Sequence, residues 1–169
     1  MRLFFALPCP EQVADTIVDW RARLLADGRL VDAGNFHLTL AFLGNQPEAR
    51  LPELMRLAGS IRADSFDLTL DRLTLWPGGL LHLAPSAPAA LLALAAHLQA
   101  MLCERGIAQD QRRYQPHLTL ACDCQHYQHV PPAEFAWRVS EFCLYLSLPE
   151  GDRTHYRRLA SWPLAACRT

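Results

Sequence analysis

Two copies of one tetrapeptide, His37-Leu38-Thr39-Leu40 and His117-Leu118-Thr119-Leu120, stand 80 residues apart in this chain. Successive side chains of a β-strand point to opposite faces. Each copy therefore sends two leucines into a core and presents a histidine and a threonine on the other side. An approximate two-fold relation between two halves would bring both His-x-Thr faces to one groove. A purely structural face has no need of histidine at both places, so the pair reads as chemistry.

The surrounding sequence supplies a frame for both copies. Arg2 to Leu7 reads as a buried strand. Pro10 to Leu25 reads as a helix with Val13, Ile17, Trp20, Leu24 and Leu25 at helical spacing, stopped by Gly28. Asn35 to Leu43 is the first motif strand, and Pro47 to Ile61 a second helix. Ser65 to Trp76 alternates as one long half-buried strand, turned by Pro77-Gly78-Gly79 into a return strand at Leu80 to Leu83. Pro88 to Arg105 is a third helix, and Tyr114 to Cys122 the second motif strand. After the Pro131-Pro132 loop, Phe135 to Leu148 reads as a long bent strand and His155 to Pro163 as the last. The third helix precedes an HLTL strand as the first does, so the chain reads as two related halves. At 169 residues it is one domain, 1–169, built as two lobes that each contribute one HLTL strand.

Sixteen basic residues, all arginine, face 17 acidic ones, a net of −1. That balance excludes a protein that coats nucleic acid through a basic surface. It leaves room for a local grip on one phosphate, with weak salt dependence. The missing lysines read as codon bias. No run reaches the apolar length of a membrane helix, the richest being Ala87 to Leu98. The N-terminus lacks a signal-peptide pattern. The six cysteines (Cys9, Cys103, Cys122, Cys124, Cys143 and Cys167) read as reduced thiols, and the expectation is a cytoplasmic protein without membrane partners.

Two histidines and two threonines suit phosphodiester chemistry that needs no metal. A neutral imidazole takes a proton from the attacking oxygen, and a protonated one gives a proton to the leaving oxygen. The threonine hydroxyls can donate to the non-bridging oxygens, where charge accumulates.

With this pair the chain resembles the 2H phosphoesterase superfamily, whose signature is two H-h-T-h motifs. NFHLTLAFLG, RRYQPHLTLA, the start RLFFALPCP, the strands SFDLTLDRLTLW and FCLYLS, and the ending HYRRLASWPL narrow the resemblance. They are similar to the RNA 2′,3′-cyclic phosphodiesterases, formerly called 2′-5′ RNA ligases. The resemblance implies an α+β fold of two pseudo-symmetric lobes, with antiparallel sheets, outer helices and a central cleft. It implies hydrolysis of RNA 2′,3′-cyclic phosphate ends to 2′-phosphomonoesters, 2′-5′ ligation in some members, no metal, no cofactor and a monomer. Carried over by position, His37 and His117 are the catalytic pair, and Thr39 and Thr119 bind phosphate. Family analogy makes His37 the acid and His117 the base.

The chain departs from the family where many members carry two further arginines. Cys122 and Leu146 stand there instead. Arg113 is the first substitute as a phosphate ligand, Arg112 the second, with Arg153 and Arg157 weaker. Phe42 shares the parity of Leu38 and Leu40, so it reads as core, with base stacking as the functional alternative. Cys122, Cys124, His126 and His129 offer a zinc ligand set at unsuitable spacing, so a polar loop is the better reading. Three functions remain open at this point. They are the RNA-end phosphodiesterase, a 2H enzyme for 2′-5′ oligonucleotides or a cyclic nucleotide metabolite, and a non-catalytic module that binds RNA termini.

Overall fold

The computed structural model describes residues 1–86 and 88–166. Cys167 and one end of the apolar run, Ala87, lie outside the described residues. In chain order the elements are β1 (Arg2–Pro8), α1 (Glu11–Ala22), β2 (Arg29–Leu30), β3 (His37–Asn45), α2 (Leu51–Ser60), β4 (Phe66–Leu70), β5 (Arg72–Trp76), β6 (Leu80–Ala84), α3 (Ala89–Glu104), β7 (Leu118–Cys122), β8 (Phe135–Val139), β9 (Glu141–Glu150) and β10 (Arg153–Pro163). The fold is α+β. Its main sheet runs β10-β9-β1-β3-β7-β6-β5, with β2 added on β7. The two motif strands are neighbours in that order, and their pairing is confined to Leu38 opposite Leu118. Both leucines are fully buried, as are Leu40 and Leu120. The motif leucines thus anchor the core where the two halves of the sheet meet.

Two long strands of the sequence reading are each two strands. Ser65 to Trp76 breaks at Asp71, and Phe135 to Leu148 breaks at Ser140. The pieces β4 and β8 pair with each other in a separate two-stranded sheet, while β5 and β9 join the main one. The cause is a slip of phase in the apolar pattern. Leu68 and Leu70 bury one face, after which Asp71 and Arg72 stand together and the leucines resume at 73 and 75. Val139, Ser140, Glu141 and Phe142 repeat the slip. A strand cannot keep one buried face across such a step, so it changes sheets.

The first helix also ends earlier than its apolar spacing suggests. Leu25 is in the left-handed region at φ 44° and 72% exposed, outside the core. Gly28 is not the helix stop. A Cβ there would lie 2.4 Å from the carbonyl oxygen of Cys122, so glycine is required by close backbone approach. The second motif strand starts at Leu118, leaving His117 just before it.

Each motif strand carries a bulge at the same place. Ala6 faces Thr39 and Phe5 faces Ala41, skipping Leu40. Equally, His82 faces Thr119 and Leu81 faces Ala121, skipping Leu120. At each bulge a polar helix side chain reaches the backbone carbonyl of the skipped leucine, and Leu120 O also accepts from Val31 N at 2.9 Å. Gln99 of α3 donates to Leu40 O at 2.7 Å, and Arg21 of α1 donates to Leu120 O at 3.0 Å. Each helix thereby serves the motif strand of the other half. Arg21 is buried, also holds Val31 O at 2.6 Å, and lies over the Phe36 ring.

Candidate active site

The bulges decide which side chains face the site. Past Leu40 and Leu120 the parity reverses, so Phe42 joins Thr39, and Cys122 joins Thr119, on the outward side. Phe42 is accordingly 49% exposed instead of core, stacked on Phe4 and covered by Arg2 at 5.6 Å. It lines a cavity of ≈ 580 Å³ together with Thr39, Trp76, Arg113, Tyr114 and His117. Tyr114 fixes the first bulge from this side by donating to Thr39 O at 2.6 Å.

Both histidines are held by the same device. His37 Nδ1 lies 2.6 Å from Asn35 O, and His117 Nδ1 lies 2.8 Å from Gln115 O, each two residues upstream. A carbonyl accepts only, so Nδ1 carries the proton and Nε2 is the reactive atom in both rings. His37 Nε2 stands 3.1 Å from Thr39 Oγ1. Asn35 is itself clamped, its amide donating to Thr154 O at 2.7 Å and its Oδ1 accepting from Tyr156 N at 3.3 Å. The His37 ring rests among Phe4 and Tyr156, each 5.0 Å away. His117 rests against Trp76 at 4.7 Å and His82 at 5.4 Å.

Burial lowers the proton affinity of both rings below the ordinary histidine value, and the charge of His117 lowers that of His37 further. Two half-buried imidazoles that repel each other's charge favour holding at most one proton between them.

Thr119 stands on β7 opposite His82, and does not line the cavity. Of the arginines, Arg113 and Arg112 line it, and Arg112 is turned onto Asp110 through Nε at 2.9 Å. Arg153 is paired with Asp32 at 3.3 Å. Arg157 is the strand partner of Leu146, on the face opposite Tyr156. Arg158 is the arginine on the site side of β10, opposite Tyr145 and 3.0 Å from Glu141. The segment from Cys122 to His129 is organised by Asp27, which accepts from Gln125 N, His126 N and His126 Nδ1 at 2.7, 3.0 and 2.9 Å. These bonds hold the Asp27 carboxyl well below its usual range.

Sequence reasoning missed two residues. Arg29 of β2 is the strand partner of Cys122 and therefore shares its face, 3.6 Å from Asp123. A two-residue strand gives no periodic signal. His82 is 2% exposed and packed on Trp76 at 4.2 Å. Burial pushes its pKa down to about 4. An unfolded imidazole takes its proton near 6.5 but the folded one only near 4. This contribution to stability is full above pH 6.5 and is lost as pH falls from 6.5 to 4, up to about 3 kcal/mol. His82→Phe is expected to flatten that part of the pH–stability curve, measured by urea unfolding at pH 7 and 4.5. An unchanged slope would refute the assignment.

A mixed α+β fold that brings two His-x-Thr motifs together on neighbouring strands of one sheet, with Thr39 and His117 lining one cavity, defines the class of two-histidine phosphoesterases. Residues 7–82 match the model of the LigT like phosphoesterase family. The RNA 2′,3′-cyclic phosphodiesterase of Escherichia coli K12 is 38% identical, covering 96% of each chain. That of Thermus thermophilus is 30% identical, covering 87% of this chain and 82% of its own. The crystal structure of E. coli LigT complexed with 3′-AMP superposes with a TM-score of 0.90 at 37% identity, covering 96% and 97% of the two chains. This chain belongs to the LigT-like phosphoesterase family.

Proposed function

We propose that the protein hydrolyses RNA 2′,3′-cyclic phosphate ends to 2′-phosphomonoesters, with His37 and His117 as the acid–base pair. The observation that carries this reading is the shared anchoring of the two rings. Both present Nε2, His117 from the lining of the cavity and His37 beside Thr39, which lines it too. In the reaction, His117 Nε2 takes a proton from water as its oxygen attacks phosphorus. The P–O3′ bond breaks, and His37 Nε2 gives its proton to the departing O3′. One proton has crossed from one imidazole to the other, and the 2′-phosphate remains. Thr39 and Arg113, which line the cavity, donate to the phosphate oxygens as charge builds, and Thr119 takes the matching part from its place in the second motif. Phe42 and the Arg2 beside it offer a stacking surface for the terminal base. With a 5′-hydroxyl in place of water, the same pair in the same roles makes a 2′-5′ linkage, and cleavage of that linkage back to the cyclic phosphate exchanges the roles.

The buried pairing of Leu38 with Leu118 supports reading 1–169 as one domain of two lobes that work as a unit. Among the described residues no helix is long and apolar enough to cross a membrane. The deciding experiment is incubation with a nucleoside 2′,3′-cyclic phosphate, with and without EDTA, resolving 2′- from 3′-phosphate. The expected product is the 2′-phosphate, formed equally with chelator. A 3′-phosphate product, or no turnover, would overturn the reading.

A further inference from the structure

A second cavity, of ≈ 450 Å³, lies behind Gln115 and Pro116 and shares Trp76, Arg113, Tyr114 and Gln115 with the first. Its floor is the β5–β6 hairpin. On β5 the side chains of Trp76, Thr74 and Arg72 fall on one face, at steps of roughly 7 Å. Trp76 touches His117, so the row leads from the catalytic ring outward to Arg72. Across the hairpin Thr74 pairs with His82, whose buried imidazole also lines the cavity. No carboxylate lines it among the described residues, and Asp71 at its margin is bonded by Ser86 Oγ at 2.5 Å. Neither Arg72 nor Arg113 forms an ion pair among the described residues. Arg72 spends one nitrogen on Pro85 O at 2.7 Å, which fixes the guanidinium and leaves two nitrogens free.

We propose that this cavity binds the phosphate on the 5′ side of the terminal ribonucleotide, with Arg72 as its dedicated ligand and Arg113 shared with the reacting phosphate. The proposal rests on the phosphodiesterase reading and narrows its substrate to ends that carry this second phosphate. In an RNA strand that group is the last diester, and in a free nucleotide it is a 5′-monoester. Two arginines that meet no carboxylate and the Thr74 hydroxyl form a donor set matched to phosphate oxygens.

The test compares wild type with Arg72→Ala and Arg72→Gln on three substrates. They are a nucleoside 2′,3′-cyclic phosphate, its 5′-phosphorylated form, and a trinucleotide ending in the cyclic phosphate. The first should be turned over at the wild-type rate by both variants, which also verifies that they fold. kcat/KM for the phosphorylated substrates should fall roughly tenfold, mostly in KM. For the trinucleotide the logarithmic salt slope should shrink by about 0.7. Loss on both phosphorylated substrates assigns the cavity to the phosphate itself, and loss on the trinucleotide alone assigns it to a strand diester. Equal loss on all three, or loss on none, overturns the proposal. Binding of a nucleoside 2′,5′-bisphosphate against the 2′-monophosphate gives the same contrast without turnover. If wild type is idle on all three substrates, the activity fails while this contrast still decides the subsite.

Discussion

Replacing His37 or His117 by glutamine is expected to lower kcat for the cyclic phosphate roughly a thousandfold. Each imidazole does a step the other cannot do in the same turnover, because one must be neutral while its partner is charged. The double variant should lose little beyond either single one, since two groups that act as a unit do not contribute additively. Glutamine is preferred to alanine because His37 packs among Phe4, Tyr145 and Tyr156, where truncation would leave a cavity. The checks are single-turnover rates together with unfolding midpoints. A variant that keeps its fold and more than a tenth of the wild-type kcat would remove that histidine from the mechanism.

The motif itself was legible, because a period of two carries Leu38, Leu40, Leu118 and Leu120 inward without any help from the rest of the fold. What lay beyond each motif was not legible. Phe42 and Cys122 follow it by the same interval and share the parity of the core leucines. They turn outward because Leu40 and Leu120 are bulged out of their ladders. A bulge is held by the donors that reach its carbonyl from outside the ladder. Gln99 and Arg21 sit 59 and 99 residues from the carbonyls they reach, a distance no local pattern spans. The breaks at Asp71 and Ser140 were legible in principle. Two adjacent polar residues followed by a change of apolar phase are visible in the letters, but an unbroken strand also fits the propensities. His82 was hidden for a different reason. It lies in an apolar run, Leu80 to Ala84, and only the tertiary packing of Trp76 and His117 gives its ring a role.

The pH profile provides the second large effect. The base must be neutral, so the rate falls as pH drops through its pKa. The acid must be protonated, so the rate falls as pH rises through its own. Burial depresses both rings, and His117 depresses His37 further. In the free enzyme both limbs of kcat/KM should therefore lie below the value of about 6.5 for an exposed imidazole. Above that pH, kcat/KM should fall tenfold per unit. A bound phosphate places negative charge against the rings and favours the protonated form, so the alkaline limb of kcat should lie higher than that of kcat/KM. The separation between the two limbs measures how strongly the phosphate holds the proton that His37 delivers. Removing the Arg113 guanidinium would strengthen that hold and widen the separation, because the cation competes for the same oxygens. Coincident limbs above pH 7 in both parameters would mean that the rings titrate as solvated groups, and the half-buried acid–base pair would fail as the mechanism.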